Sequence, residues 1–487
     1  MFAVIQLTLI VLGARLAWRL SNRFLSKDHW GAVPGPAPES WLTGSLLKLV
    51  SQDAAQYHEK LAREFGRVVK FTGLFKENIL YVYDPKALYH IFVKTRNALL
   101  QQLNKNAGEK ELDVASWMTR TMLEFTGQSG FGYSFDSLTE DSEEHPFVTS
   151  LKGFMCAISD TPVVVARLLL SPYAHLVSPK TQRAIIDFLP WKQMHRIRDM
   201  VDVMHNTSLD IFEATKRSAN EGDGLGRKDI MSVLFKANNA ASDQDKIPES
   251  ELVAQVSTIT FAAMDTTSNA MSRIVFLLSQ HPDIQEKVRA ELCDAFQDEE
   301  ELDYEVLSSL PYLDAVVKET LRVHPPLPFI NREAVRDAVL PLQKPITSRK
   351  GEIVDSIFVP KGSKIMLSLS NCNTDTEIWG PDAGEWKPER WLSPLRSSVQ
   401  EAHVPGVYSN LMTFSGGGRA CIGFKVSKLE MKVLLSVLLP TFKFAPSDKR
   451  IIWEWNAVVQ PTTEDAKVAA NGAREPELPL KVALVQA

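Results

Sequence analysis

The amino-acid sequence predicts a mainly α-helical protein with a small amount of β-structure. Apolar residues recur at helical spacing through most of the chain from Trp41 onward, and the longest such stretch is Glu251–Gln280. About 30 residues at 1.5 Å each make a helix of about 45 Å, long enough to cross a whole domain. Short alternating stretches at Val68–Phe71 and Ile79–Val82 predict two strands.

The composition is that of an ordinary globular protein. Of the 487 residues, 45 % are hydrophobic and 23 % are charged, which excludes a disordered or collagen-like chain. The net charge of −5 argues against a general nucleic-acid binder, which would normally be basic. The cysteines form no CxxC pair, which excludes a zinc ribbon and a disulfide scaffold and is typical of a reducing compartment. They are Cys156, Cys293, Cys372 and Cys421.

Residues 1–20 predict a membrane anchor. The stretch Phe2–Gly13 is almost wholly apolar, and the long side chains of Arg15 and Arg19 can reach the membrane interface. Positive charge after the apolar run predicts that the rest of the chain lies on the cytoplasmic side. A cleaved signal peptide is the alternative, but such a peptide would carry its basic residues before the apolar run.

Residues 21–40 predict a basic and proline-rich hinge. Arg23 and Lys27 are followed by alternating prolines at Pro34, Pro36 and Pro38. Prolines at this density favour extended backbone and form a stiff spacer. The hinge leaves residues 41–487 for the globular body.

Cys421 lies in a glycine-rich loop directly before a second amphipathic helix. A helix N-terminus favours the thiolate over the thiol, and the glycines Gly416–Gly418 allow the backbone to approach a flat group. A thiolate without a base partner is a better metal ligand than a nucleophile. A phosphate-binding P-loop is excluded because Phe424 occupies the position of its lysine. An inert buried cysteine is the remaining alternative.

Polar residues interrupt the middle of the long helix. Asp265, Thr266 and Thr267 lie in a segment that is apolar on most sides, and buried polar groups need partners. Two interpretations are open at this point. The threonine hydroxyls bond to carbonyl oxygens four residues earlier and the acid finds a local donor, or the group has a chemical role.

The Cys421 loop resembles the haem-binding loop of the cytochrome P450 family of haem-thiolate monooxygenases. The family pattern FxxGxRxCxG is matched at every position by Phe414, Gly417, Arg419, Cys421 and Gly423. This motif is long and specific. We therefore take the chain as resembling this family.

Three further segments are similar to family motifs and occur in the family's order. Glu319 and Arg322 match its ExxR pair, and Arg390 in the PERW segment matches the arginine that joins that pair. Asp265 and Thr266 match the acid and threonine of the family's long helix. Ala263 replaces the glycine that usually precedes them.

The resemblance implies a mainly α cytochrome P450 fold with a small β-sheet subdomain and an N-terminal membrane anchor. Cys421 would be the proximal ligand of the iron in haem b, and Arg419 and Arg332 would bind the haem propionates. Asp265 and Thr266 would relay protons during oxygen activation. Glu319, Arg322 and Arg390 would have a structural role.

The resemblance also implies the partners of the catalytic domain, residues 41–487. It would hydroxylate or otherwise oxidise an apolar small molecule near Phe261, Ala262 and Pro326–Ile330, using O2 and electrons from NADPH–cytochrome P450 reductase, a flavoprotein. The fungal microsomal type of the family implies a single N-terminal anchor in the endoplasmic reticulum membrane, a cytosolic catalytic domain and a link to secondary metabolism. No nucleic-acid partner is expected.

Three lysines after Cys421 would form either a basic docking face for an acidic partner or a solvated face. They are Lys425, Lys428 and Lys432.

One departure from the family precedes residue 111. The chain runs from Phe92–Asn97 almost directly to Leu112–Trp117, where the family normally carries a substrate-covering loop and a haem-contacting helix with a WxxxR motif. Trp117 and Arg120 have the wrong spacing for that motif, and we interpret them as structural. The departure keeps a second interpretation open, a catalytically impaired or inactive P450-like scaffold that binds haem poorly.

Overall fold

Helices dominate the part of the chain that the computed structural model describes, as the sequence predicts. This part comprises residues 68–72, 78–82, 85–104, 109–139, 145–158, 161–170, 176–220, 229–240, 246–296, 302–348, 350–456, 458–468 and 474–485. The predicted anchor and hinge, residues 1–40, lie outside it. Among the described residues no helix combines the length and the apolar character needed to span a membrane.

The α-helices of the described residues are numbered in chain order. They are α1 (Pro85–Asn104), α2 (Val114–Phe125), α3 (Pro146–Ile158), α4 (Thr161–Leu170), α5 (Pro179–Phe188), α6 (Lys192–Asn220), α7 (Ile230–Ala240), α8 (Glu249–Gln280), α9 (Pro282–Phe296), α10 (Tyr304–Ser309), α11 (Pro311–Val323), α12 (Leu369–Asn373), α13 (Thr376–Trp379), α14 (Ser397–Glu401) and α15 (Phe424–Leu438). A π-helical turn, Thr126–Phe131, extends α2, and 3-10 turns occupy Pro388–Trp391 and Gly417–Arg419.

Strands form small antiparallel sheets of two or three members. They are β1 (Val68–Thr72), β2 (Asn78–Val82), β3 (Lys110–Asp113), β4 (Phe329–Glu333), β5 (Ala338–Thr347), β6 (Ile353–Val359), β7 (Lys364–Ser368), β8 (Gly406–Tyr408), β9 (Leu411–Gly416), β10 (Phe442–Pro446), β11 (Ile451–Asn456), β12 (Val458–Thr463) and β13 (Pro479–Leu484). The pairs are β1–β2, β4–β7, β5–β6, β8–β9 and β11–β12, and β13 lies between β10 and β3.

The chain divides into two units, Met1–Asp84 and Pro85–Ala487. In the first unit the described residues form the β1–β2 hairpin, in which Val68 pairs with Val82 and Thr72 with Asn78. Both strands predicted from alternation are therefore confirmed. All other elements belong to the second unit.

Helix α8 confirms the long central helix and begins two residues before the predicted start. Glu249 and Glu251 lie in its first turn, where negative charge stabilises the helix dipole. It ends at Gln280 because Pro282 cannot continue the hydrogen-bonding pattern and instead begins α9. Its 32 residues span about 48 Å.

The core of the second unit surrounds α8. Side chains of α8, α11 and α15 meet in it, and the most enclosed of them have no exposed surface: Val256, Ile274, Val275, Leu278, Leu313, Val316, Val317, Leu434, Leu435 and Leu438. Burial of each such side chain contributes about 1.5–3 kcal/mol. The long helix is thus buried, as expected. The apolar face predicted for the helix after Cys421 packs through Leu429, Val433, Leu434 and Val437, whereas Val426, also predicted on that face, is 51 % exposed.

Strand β3 joins the start of the helical body to the end of the chain. Lys110–Asp113 pairs with β13, where Leu112 faces Leu480. The Asp113 carboxylate caps α2 by accepting hydrogen bonds from the backbone N–H groups of Ala115 and Ser116, and it accepts a third from Leu478. One acid therefore fixes both the helix start and the C-terminal strand.

Candidate functional site

The loop that carries Cys421 connects strand β9 to helix α15. The backbone N–H of Cys421 donates to the carbonyl oxygen of Phe414 at 2.8 Å, which folds the loop back on the strand. Gly417 has a left-handed φ of +67°. A Cβ atom at Gly416 would lie 2.0 Å from the carbonyl oxygen of Pro405, so a side chain cannot fit there. At least two of the three glycines are therefore required by the backbone itself.

The thiol of Cys421 differs from the sequence expectation. The residue is exposed overall, but the surrounding chain displaces enough water for burial to raise the pKa of the thiol. A backbone hydrogen bond from Gly423 lowers that pKa by less. Desolvation therefore opposes the thiolate that the helix terminus favours. A bound metal ion would itself deprotonate a coordinating thiol.

The residues of the loop fit a haem group. The sulfur of Cys421 is a soft donor suited to iron. A Cβ atom at Gly418 would meet nothing within 4 Å among the described residues, which leaves open space beside the loop for a flat group. The exposed Arg419 adds a guanidinium for anionic substituents. Arg332 is half-buried on β4 and donates to the carbonyl oxygen of Asn331.

Glu319, Arg322 and Arg390 form a buried ion cluster. Arg322 grips both carboxylate oxygens of Glu319 at 2.8 Å, and neither residue has any exposed surface. The Nε of Arg390 lies 3.2 Å from the same carboxylate. Buried charges are tolerated only when paired and fully hydrogen-bonded, and this cluster meets both conditions.

Carbonyl oxygens complete the shell of Arg322. Its remaining N–H groups donate to the backbone oxygens of Asn373, Ala383 and Glu385, at 3.0, 2.6 and 3.1 Å. All five guanidinium donors are thereby used, which a lysine could not reproduce. The indole N–H of Trp391 donates to Glu319 at 2.8 Å.

A hydrogen-bonded path leads from the ion cluster to the cysteine loop. The fully buried Asn373, whose carbonyl binds Arg322, donates from its side chain to Thr413 and accepts from the backbone of Met412. Thr413 in turn donates to the carbonyl oxygen of Leu321 at 2.7 Å. Strand β9, which carries Phe414, is thus fixed to the ExxR helix. Sequence analysis missed Asn373 and Thr413, because no local pattern marks them.

Asp265 and Thr266 lie half-buried on α8. The Thr266 hydroxyl donates to the carbonyl oxygen of Ala262 at 2.7 Å, which is the local bond that the structural interpretation predicts. The side chain of Asn269 donates to both the backbone oxygen and the carboxylate of Asp265, at 2.8 and 3.2 Å. Asn269, also missed from the sequence, therefore orients this acid.

Neither interpretation of the three lysines on α15 holds for all of them. Lys432 is 4 % exposed and forms an ion pair with Asp314 at 2.7 Å. Lys428 lies 4.2 Å from the ring centroid of Tyr408, and burial lowers its pKa to about 8. Only Lys425 of the three is exposed. The predicted docking face is wrong because the helix turns two of the lysines into the protein.

Trp117 and Arg120 are structural, as predicted. The guanidinium of Arg120 grips Asp136 at 2.6 and 2.9 Å and lies 4.5 Å from the centroid of the Trp117 ring. It also donates to the backbone oxygen of Thr139. These contacts close the loop that follows α2.

Helix α1 extends to Asn104, into the place where the family's additional segment is expected. It packs against α15 and α2. Its inward face consists of Thr95, Ala98, Leu99 and Leu103, all nearly fully buried. The Thr95 and Thr121 hydroxyls lie 2.9 Å apart. The shortened connection is therefore a packed element.

Comparison with known proteins identifies the family. Residues 88–466 match the family model described as Cytochrome P450. The chain is 39 % identical to cytochrome P450 monooxygenase 91 of Postia placenta over 92 % of this chain and 93 % of that protein. It is 38 % identical to ganoderic acid synthetase of Ganoderma lucidum, with 96 % of each chain covered. A solved cytochrome P450 structure has the same fold, with a TM-score of 0.58 and 20 % identity over 82 % of this chain and 77 % of that one.

The length of the alignments agrees with the internal departure. The comparison with ganoderic acid synthetase extends over 539 residues, although only 96 % of the 487 residues of this chain take part. About 70 alignment positions therefore have no counterpart in this chain. The family implies haem iron and an electron-supplying reductase, and the chain belongs to the cytochrome P450 monooxygenases.

Proposed function

We propose that this P450 oxidises an apolar small molecule with O2, using electrons that NADPH supplies through a flavoprotein reductase. The observation that carries the proposal is the complete cysteine loop, which strand β9 ties to the buried ion cluster of Glu319, Arg322 and Arg390. A loop held this rigidly keeps a ligand atom in one position. Catalytic sites need such support from the surrounding residues.

The residues of the loop would hold the cofactor. Haem supplies the redox chemistry of oxygen activation when it is bound. The Cys421 sulfur would ligate its iron. Arg419 and Arg332 would bind the propionates, since a guanidinium forms bidentate, charge-assisted hydrogen bonds to carboxylates. Phe414, Gly417 and Gly423 would shape the loop around the sulfur.

The polar residues of α8 would move protons. The Thr266 hydroxyl donates to Ala262 and keeps its oxygen free to accept a hydrogen bond. The Asp265 carboxylate, oriented by Asn269, would exchange protons with solvent. Adjacent residues of a helix do not face each other, so water would have to carry a proton between the two side chains.

We infer an apolar substrate because the residues expected to surround it are apolar. They are Phe261, Ala262 and Pro326–Ile330. The similarity to ganoderic acid synthetase supports a place in fungal secondary metabolism. We further infer an anchor in residues 1–20, a hinge in residues 21–40, and a cytosolic catalytic domain at the endoplasmic reticulum membrane. The apolar run and the arginines that follow it support this placement.

The second candidate is an impaired haem-binding scaffold. The observation that favours it is α1, which continues without a break to Asn104, into the place of the expected segment. A chain with this shortcut lacks the family's additional covering residues. Its haem would be less tightly held and its pocket more open to water.

Replacement of Cys421 tests the proposal. The reduced, CO-bound protein should show the thiolate-type Soret band that gives the family its name, and Cys421→Ala should abolish it. Cys293→Ala, at another exposed cysteine, is the matched control and should retain the band. An unchanged band in Cys421→Ala would contradict the assignment.

Deletion of residues 1–30 tests the proposed anchor. The full chain should sediment with membranes, and the shortened chain should be found largely in the soluble fraction. Mass spectrometry of the mature chain provides an independent check. A mature chain that lacks residues 1–20 would refute an uncleaved anchor.

A further inference from the structure

A small cavity lies beside α8, one turn beyond the polar pair. Its volume is about 120 Å³. Residues of α8, of the segment after α11, and of strands β11 and β12 line it, among them Asn269, Arg273, His324 and Trp453. It lies in the second unit of the chain, and none of the residues matched to the family motifs lines it.

Arg273 brings an unpaired positive charge to this cavity. None of the described carboxylates pairs with its guanidinium, which instead lies 3.3 Å from the centroid of the Trp453 ring. Burial lowers the pKa of Arg273 to about 9, so the group is still cationic at neutral pH. A ring face stabilises a cation but accepts no conventional hydrogen bond from its N–H groups.

Trp453 adds a second donor to the cavity. The indole N–H of Trp453 is buried and has no hydrogen-bond partner among the described residues. His324 is neutral at neutral pH, because burial, followed by the charges of Arg273 and Arg322, lowers its pKa to about 3. The Asn269 amide already donates to Asp265. Two donor side chains thus lack an acceptor, and an anion would supply both hydrogen bonds and charge.

The position of the cavity connects it to the proposed site. Arg273 follows Thr266 by seven residues, which places both on the same side of α8 and about 10 Å apart along its axis. Pro326 and Pro328, two other lining residues, belong to the segment expected to hold the substrate. The backbone of Val459 donates to Pro326 at 3.0 Å and fixes this wall.

We propose that this cavity is a subsite for the carboxylate of an otherwise apolar acid, with Arg273 as the residue that binds it. The volume of about 120 Å³ is sufficient for a carboxylate group. The remainder of the molecule would extend along α8 toward Thr266. The oxidation of that acid rests on the proposed function, whereas its binding by Arg273 does not.

Calorimetric titration of the purified full chain tests the subsite without relying on turnover. The probes are dodecanoate below its critical micelle concentration, dodecan-1-ol as the uncharged analogue, and acetate as the free anion. The variants are Arg273→Met, Arg273→Lys and, as the matched control, Arg336→Met at an exposed arginine. Haem content and the reduced CO spectrum are recorded for every preparation.

We expect dodecanoate to bind the parent at least about ten-fold more tightly than dodecan-1-ol, the preference that a charged hydrogen bond provides. Arg273→Met should remove this preference and Arg336→Met should retain it. Arg273→Lys keeps the charge but not the planar fork, so its preference should be intermediate. The lysine variant decides the result if the methionine variant does not fold.

Four outcomes would overturn the proposal. These are equal affinity of the parent for dodecanoate and dodecan-1-ol, an unchanged preference in both Arg273 variants, acetate binding as tight as dodecanoate binding, and an equal loss of haem and dodecanoate affinity in Arg273→Met. The third would identify a site for free anions, and the fourth a site for a haem propionate. Loss of the thiolate Soret band with intact dodecanoate selectivity would contradict the proposed function alone.

Discussion

Ionisable side chains that are buried are accommodated by different means in different parts of this molecule. The guanidinium of Arg322 uses a carboxylate and three carbonyl oxygens, whereas that of Arg273 rests on an aromatic ring. Glu430, on the helix that follows the cysteine loop, is 2 % exposed, and burial alone raises its pKa to about 8. A carboxyl group with that pKa avoids the cost of a buried charge by keeping its proton.

The raised pKa of Glu430 predicts a pH-dependent stability. Its carboxyl group is protonated in the folded chain up to about pH 8 but ionises near its ordinary value of about 4.3 when unfolded. Between these values the folded state binds more protons, so the free energy of unfolding falls as pH rises. Glu430→Gln should therefore gain stability relative to the parent between pH 5 and pH 8, by several kcal/mol at most. Urea unfolding at both pH values measures the difference.

Glu401→Gln, at an exposed position, is the control for that measurement. Its stability relative to the parent should change little between the two pH values. A parallel pH dependence of parent and Glu430→Gln would show that Glu430 ionises in the folded chain. In that case a counter-charge or water must reach it.

Thr266 allows a comparison within one helix. Its hydroxyl bonds to the carbonyl four residues earlier, and Thr258 makes the same bond to Ala254 at 3.0 Å. If Thr266 moves protons, Thr266→Ala should keep the haem content of the parent but consume reductant with little product. Thr258→Ala should remain coupled as the parent is. The ratio of product formed to NADPH consumed, measured beside haem content, checks both.

Equal coupling in Thr266→Ala and Thr258→Ala would leave Thr266 with only its local hydrogen bond.

The sequence predicts the position of Thr266 because an acid and two threonines interrupt an apolar helix. Asn269 and Arg273 escape prediction, since polar residues at these spacings also occur on solvated helix faces. For Glu430 a signal does exist, since it lies three residues before Val433 and four before Leu434, two apolar residues at helical spacing from it.

At the scale of elements, helix α1 is the least expected part of the fold. The sequence indicates a shortened connection before residue 111 but not that a single helix replaces it. The buried positions Thr95, Ala98, Leu99 and Leu103 follow the i, i+3, i+4, i+8 spacing of one helix face, so one face of α1 packs over its second half. Their spacing is compatible with a helix whether or not a segment is missing, and for this reason the sequence alone does not decide the matter.

Truncation of Leu99 tests how firmly α1 is packed. Leu99 is 3 % exposed, whereas the neighbouring Leu100 is only partly buried. Leu99→Ala should reduce the free energy of unfolding by about 2–5 kcal/mol, because it removes buried methyl groups and leaves a cavity. Leu100→Ala, the same substitution one position later, should cost clearly less. Equal losses, or none, would mean that this face of α1 does not support the fold in solution.

Other elements show where sequence patterns succeed. Long apolar periodicity predicts the bounds of α8 to within two residues and most of the packed face of α15, because burial of apolar side chains is what mainly stabilises these helices. The lysines of α15 are mispredicted for a related reason. Helical spacing places Lys428 and Lys432 on one face, but only the tertiary structure shows that Asp314 and Tyr408 lie opposite them.

At the scale of the whole second unit, the chain is closed by contacts between distant segments. Strand β3, which directly follows the shortened connection, pairs with the C-terminal strand β13. The ion cluster links α11 to the residues around Asp382 and, through Asn373, to the cysteine loop. These contacts join positions tens to hundreds of residues apart, which no local pattern can predict. Family motifs indicate that Glu319 and Arg390 belong together, but not the neighbours that satisfy them.

The shortened connection should weaken cofactor binding more than it weakens the fold. Helices α8, α11 and α15 pack on one another downstream of it, so the core should persist. Haem propionates are anions that need paired donors, and only Arg419 and Arg332 are available among the positions that match the family. A pocket with fewer covering residues also admits water, which weakens the interactions that stabilise charge and allows reduced oxygen to escape as peroxide.

Restoring the segment tests this directly. A version of the chain with a relative's segment inserted before residue 111 should bind haem more tightly and release less peroxide per NADPH consumed than the 487-residue chain. Both forms should unfold with similar free energies, because the core is common to them. Haem titration and peroxide assays on the two proteins, prepared side by side, decide the matter. If the 487-residue chain binds haem as tightly as the restored version and couples as well, α1 and its neighbours compensate for the absent residues. The interpretation of the chain as an impaired scaffold would then be wrong.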